Sequence, residues 1–135
     1  MHEERSGAMR AGLVDIVDDT FVRATPPAVR AALDAAGVPS SAPGRWPLEV
    51  RVAASEDRGA KGVRWAAAGR ITGRMEIWLE EVPAGTVVHH YVRGEATHRW
   101  RSPAWVARDH TLTWKQVVHE VKDTLEGRRA APDGR

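Results

Sequence analysis

Cysteine is absent from the 135 residues, so disulfides, thiolate zinc sites and cysteine nucleophiles are excluded together. No apolar run approaches the ~20 residues that a membrane-spanning helix requires. The opening MHEERSGAMRAG is polar and lacks the apolar stretch of a secretory signal. A cytoplasmic protein is therefore the expectation. The nucleophile elbow, the Walker loop and the dinucleotide fingerprint are all missing. The nearest glycine patterns, GAKG at 59–62 and GRITG at 69–73, have the wrong spacing. Lysine is scarce: only Lys61, Lys115 and Lys122 stand among 20 basic residues. The rest are arginines, which keep their charge at any ordinary pH and hold the isoelectric point near 9.5 although the net charge is only +2. Acidic residues are interleaved throughout, which favours a solvated surface over a nucleic-acid track.

What is present is an ordinary soluble balance, 42% apolar and 28% charged, in a length that suits one domain with one core. Residues 1–12 carry no periodicity and read as a flexible lead-in, and 128–135 as a disordered tail, leaving 13–127 as the domain. LVDIVDDTFVR (13–23) is rich in β-branched residues and reads as a strand, with its faces blurred by Asp18-Asp19. Thr25-Pro26-Pro27 offers a cap and a first-turn proline, and Val29, Ala32, Leu33 and Ala36 follow at helical spacing before Gly37. A short helix over about 26–36 is predicted, then a Pro/Gly/Ser loop over 39–47.

From Leu48 the period becomes two. Leu48, Val50, Val52 and Ala54 alternate with polar or small residues, as do Val63, Trp65 and Ala67, and then Ile71, Gly73, Met75, Ile77 and Leu79. Thr86–Arg93 completes four strands whose connections are too short for crossover helices, so an antiparallel meander is predicted. Ser102-Pro103 starts and Gly127 stops one long helix. Its apolar stripe is read as Ala107, Thr111, Trp114, Val118, Val121 and Leu125, with Arg108, Lys115, His119, Lys122 and Glu126 on the other side. The fold class is α+β: a curved antiparallel sheet of about five strands wrapped around the long C-terminal helix.

The runs VDDTFVRATPPAVRAAL, DRGAKGVRWAAAGRITGRMEIWLE, TVVHHYVR and WKQVVHEVKDTLEG resemble START-like proteins of the SRPBCC superfamily, the helix-grip fold. Within it they resemble the branch of polyketide cyclase/dehydrase and lipid-transport-like proteins. The likeness spans roughly 13–127 and lies in packing and turn residues, so it speaks to fold more than to reaction. Two departures make this a compact version. The 37–47 connection is short and proline-rich where the family commonly has a second helix, and four strands follow the helix where six are common.

The resemblance implies a cavity between the sheet and the last helix for a small hydrophobic or amphipathic, lipid-like or polyketide-like ligand. Alternation independently puts Val52, Trp65, Met75, Ile77 and Leu79 on one face, with Trp114 and Val118 facing them from the helix. The same residues would fill a solid core equally well, and the protein would then be an interaction module using surface such as Trp78. His90 shares a face with Val88 and Val92 and is expected inside, with His89 and Tyr91 outside. An inward His90 is either a core histidine or, in a cyclase/dehydratase-type enzyme, a proton-transfer group with Tyr91 or Glu76 as candidate helpers. Arg99, Trp100, Arg101 and Trp105 mix charge and aromatic surface before the last helix. They read as a lid meeting an acidic headgroup, a tether for the helix start, or a stacking platform for single-stranded nucleic acid. His119 and Asp123 lie four apart on the helix but lack the second histidine of a metal motif. No residue set calls for a metal or cofactor, and a monomer or weak homodimer is expected.

Overall fold

The computed structural model describes residues 12–38, 50–96 and 100–127, with the backbone alone for 50–55. The chain runs β1 (Leu13–Val22), α1 (Pro26–Ala35), β2 (Val50–Asp57), a 3-10 turn (Gly59–Lys61), β3 (Gly62–Gly69), β4 (Ile71–Val82), β5 (Gly85–Ala96) and α2 (Pro103–Glu126). The strands form one sheet in the order β1-β5-β4-β3-β2, every neighbouring pair antiparallel. This is the α+β architecture expected: a meander of four strands, closed on its far side by the first strand. Of the expected lead-in only Gly12 is described, and the 39–47 loop, the Leu48 start of β2, Arg99 and the 128–135 tail lie outside the described residues.

Local chemistry sets the element ends. The Thr25 hydroxyl accepts from the Ala28 N–H (3.4 Å) and the Ser102 hydroxyl from the Trp105 N–H (3.0 Å), each just before a helix-starting proline. Gly127 ends α2 in the left-handed region (φ 74°), which a Cβ would disfavour. Alternation in β3, β4 and β5 is clean: Val63, Trp65, Ala67, Met75, Ile77, Leu79, Val88, His90 and Val92 are buried, and the residues between them are not.

The blurred first strand has a physical reason. Val14, Ile16, Thr20 and Val22 point inward with Asp18 among them, and Asp18 accepts the Trp114 indole N–H (2.9 Å) and pairs with Lys115 (2.9 Å). An aspartate thus stands in the buried row because α2 brings it two donors. Asp19 points the opposite way. In β2 the register shifts between Val52 and Ala54, so one extra residue interrupts the alternation expected there. α2 packs chiefly on β1 and less on β5, crossing one half of the sheet's inner face.

Candidate functional site

Register places the inner face in rows. Trp65, Met75, Val92 and Ile16 form one row across β3, β4, β5 and β1, and Val63, Ile77, His90 and Asp18 form the next. On the other side of the Trp65 row lie Ala67, Gly73, Gly94 and Val14, a row with glycine at its two central positions. A Cβ at Gly73 would stand 2.3 Å from the Arg93 carbonyl oxygen, and one at Gly94 2.3 Å from that of Thr72. Close backbone approach therefore demands glycine at both positions, so no side chain stands between Ala67 and Val14 in this row, while Ile71 is buried beyond it.

Seven of the eight residues expected to line a ligand site converge here: Trp65, Met75, Ile77, Leu79, His90, Trp114 and Val118 are all buried. The side chain of the eighth, Val52, lies outside the described residues. The rings are in contact: His90 lies 4.7 Å from Trp114 and 5.3 Å from His110, centroid to centroid, and Trp65 stacks at 6.2 Å. Trp65 is only 3% exposed, yet its indole N–H has no hydrogen-bond acceptor among the described residues. An unmatched buried donor costs about 1–3 kcal/mol.

His90 is inward, as its alternation implied, and His110 of α2 joins it with the two Nε2 atoms 3.0 Å apart. The other ring nitrogen of His90 meets the Glu76 carbonyl oxygen (3.1 Å). A carbonyl only accepts, so Nδ1 of His90 carries its proton, its Nε2 accepts, and Nε2–H of His110 donates. Burial drives both rings to the neutral form, His90 down to about 4 and His110 to about 3, the latter lowered further by His90 and Arg70. Sequence reasoning missed His110 by choosing a stripe through Ala107 and Thr111. In the N-terminal half of α2 the buried residues are Val106, His110 and Trp114, one position earlier, while Ala107 and Thr111 are half-buried. The spacing Val106–His110–Trp114 was the available signal.

Glu76 and Tyr91, the candidate helpers for His90, occupy the outer face, and only the backbone of Glu76 reaches the histidine. The set His90, Tyr91 and Glu76 is therefore not assembled into one proton-transfer site, because adjacent strand positions face opposite ways. His119 is exposed, and no group of three or more metal-ligating side chains forms among the described residues.

The chain enters α2 beside the β3–β4 turn. Trp105 is held between two guanidinium groups, Arg101 at 4.6 Å and Arg70 at 5.2 Å from its ring centre. Arg70, from the β3–β4 turn, also pairs with Asp109 (2.9 Å). Arg101 and Trp105 thus sit together, Trp100 is 80% exposed beside them, and Arg70 is a neighbour the sequence did not reveal. Two clefts open elsewhere on the surface. One of about 600 Å3 lies over the outer side of β3–β5, and one of about 810 Å3 lies beside the start of α1, against Pro26, Arg58 and Trp78.

No family model matches the chain, and no curated protein matches it. Solved structures do resemble it. The di-domain ARO/CYC StfQ from the steffimycin biosynthetic pathway superposes with a TM-score of 0.63 at 14% identity, over 95% of this chain and 56% of that one. The chain thus spans little more than half of the di-domain's length. The Aha1 dimer from Colwellia psychrerythraea gives 0.54 at 21% identity, over 84% of this chain and 96% of that one. Protein CV1439 from Chromobacterium violaceum gives 0.55 at 15% identity, over 84% and 98%. At these identities the likeness establishes the fold, and it is the helix-grip fold that the sequence resemblance implied.

Proposed function

We propose that this protein binds a small, mostly apolar molecule bearing at least one acceptor oxygen, held against the β3–β4 half of the inner face. The observation that carries this reading is the buried indole N–H of Trp65, which has no acceptor among the described residues and borders the row in which Gly73 and Gly94 stand. A ligand carbonyl or hydroxyl would supply the missing acceptor. α2 packs on the opposite half of the sheet, and Trp105 with its two arginines stands where such a molecule would enter. The helix-grip fold, shared with a protein of a polyketide pathway, supports a polyketide-like or lipid-like ligand. Binding rather than turnover is favoured, because both ring nitrogens of His90 are already engaged within the protein. A monomer or weak homodimer suffices for this role.

Native mass spectrometry of gently purified protein is the test, followed by denaturing extraction. A stoichiometric adduct on the 14.8 kDa chain is expected, and Trp65→Phe, which keeps an aromatic side chain but deletes the N–H, should weaken its retention about fivefold. A bare mass, or an adduct that Trp65→Phe retains unchanged, would overturn the reading.

A further inference from the structure

The outer face of the sheet carries a second arrangement that the interior does not explain. Along β5 and β4 the rings of Trp78, His89 and Tyr91 form a nearly parallel stack, with centroids 4.6 and 5.9 Å apart and planes within 18°. His89 covers one side of the Tyr91 ring. The next outward residue along β5 on the other side is Arg93, so the free face of the phenol looks toward it. That face opens on the cleft of about 600 Å3, which Arg64, Ala66, Arg74, Glu76, Tyr91 and Arg93 line. The volume lies within the range of small-molecule sites, roughly 300–1,000 Å3. Ala66 sets a low floor between the longer side chains.

Three arginines line this cleft against two carboxylates, Glu56 and Glu76, so positive charge is in excess. Arg74 and Arg93 stand directly opposite each other across β4 and β5, a like-charge pairing that weakens a sheet unless an anion lies between. Arg64 turns to Glu76 (3.3 Å), which Arg58 also approaches (3.7 Å), and Arg93 reaches Asp15 only at 3.4 Å from an exposed position. Arg74 has no carboxylate partner among the described residues. Three adjacent strands therefore present arginines around the open end of an aromatic stack.

We propose that this outer cleft is a second binding site, for a carboxylate carried on a flat aromatic body. The ring stacks on the free face of Tyr91, and the carboxylate lies between Arg74 and Arg93, whose planar guanidinium groups match its two oxygens. Burial and the nearby carboxylates of Asp19, Glu76 and Glu80 raise the Tyr91 pKa, so the phenol stays neutral beside an incoming anion. The contacts proposed for this site, Arg74, Tyr91 and Arg93, all belong to the outer face of the sheet.

Tyr91 is the only tyrosine in the sequence, so protein labelled with 3-fluorotyrosine reports on this cleft through a single 19F resonance. Titration with 2-naphthoate is expected to shift that resonance saturably. Arg74→Gln and Arg93→Gln should each weaken the affinity about three- to tenfold. Raising the salt concentration should weaken binding in parallel. Both arginines are exposed, and an unchanged melting curve would verify that the variants fold. The proposal fails if 2-naphthalenemethanol or inorganic phosphate shifts the resonance at the same concentrations, or if neither arginine variant alters the titration. Failure here would leave the interior reading untouched, and loss of the interior adduct would leave this one standing.

Discussion

The histidines divide into two kinds whose effects on stability oppose each other. His89 lies on the outer face between Asp19 (2.6 Å) and Glu80 (2.9 Å). Burial pulls its pKa down, but the two carboxylates outweigh burial and raise it above the ordinary value of 6.5. Its stabilisation is complete below the unfolded pKa and is lost as pH rises through the folded one. His90 and His110 behave conversely. With folded values of about 4 and 3, their contribution is complete above 6.5 and is lost as pH falls toward those values, because the unfolded chain takes up protons that the buried rings refuse. Stability against urea should therefore peak near neutrality and fall on both sides. His89→Gln should flatten the alkaline arm alone and His110→Gln the acid arm alone. A profile in which His110→Gln leaves the acid arm intact would contradict a neutral buried pair. The sequence revealed that His89 and His90 face opposite ways, since strand alternation is a local rule. It did not reveal the carboxylates or the second imidazole, which arrive from β1, β4 and α2.

Elements were legible in proportion to how locally they are determined. The ends of α2 follow from Ser102, Pro103 and Gly127, and the alternation of β4 from its own residues. The stripe of α2 was misread in its first half because Ala107 and Thr111 fit the spacing as well as Val106 and His110, and only the sheet decides between them. The tie between α1 and the β2–β3 turn was invisible for a similar reason. Arg30, its side chain 13% exposed, pairs with Asp34 (3.0 Å) and Asp57 (3.0 Å) and donates to the carbonyls of Gly59 (2.8 Å) and Gly62 (2.9 Å). One guanidinium therefore anchors the turn to the helix, using donors that only arginine offers in that geometry. Arg30→Ala is expected to cost about 1–3 kcal/mol and to accelerate amide exchange selectively at 57–62. Exchange rising uniformly along the chain would instead make Arg30 a global packing residue.

At the scale of the whole molecule, the sheet has two faces, and α2 covers the inner one unevenly. Sequence alternation identified which residues share the inner face, but it could not register whether space remains among them, because volume depends on how β3, β4 and α2 approach one another. Ala67 is the position at which that question can be decided. It is buried, lies beside Trp65 on β3, and pairs with Gly73 in the row that has glycine at its two central positions. If a ligand occupies the space above this row, Ala67→Phe places a ring where the ligand would sit. Stability of the ligand-free protein should then change by less than about 1 kcal/mol, since the ring fills a void. Any bound molecule should be displaced in the same variant. If the interior is instead filled by its own side chains, the added ring must force its neighbours off their rotamers, and the loss should reach about 2–3 kcal/mol. Urea unfolding of Ala67→Phe, read beside its native mass spectrum, separates the two. A tolerated ring with the adduct lost supports an internal binding site, whereas a heavy loss of stability identifies a solid core and moves function to the outer face.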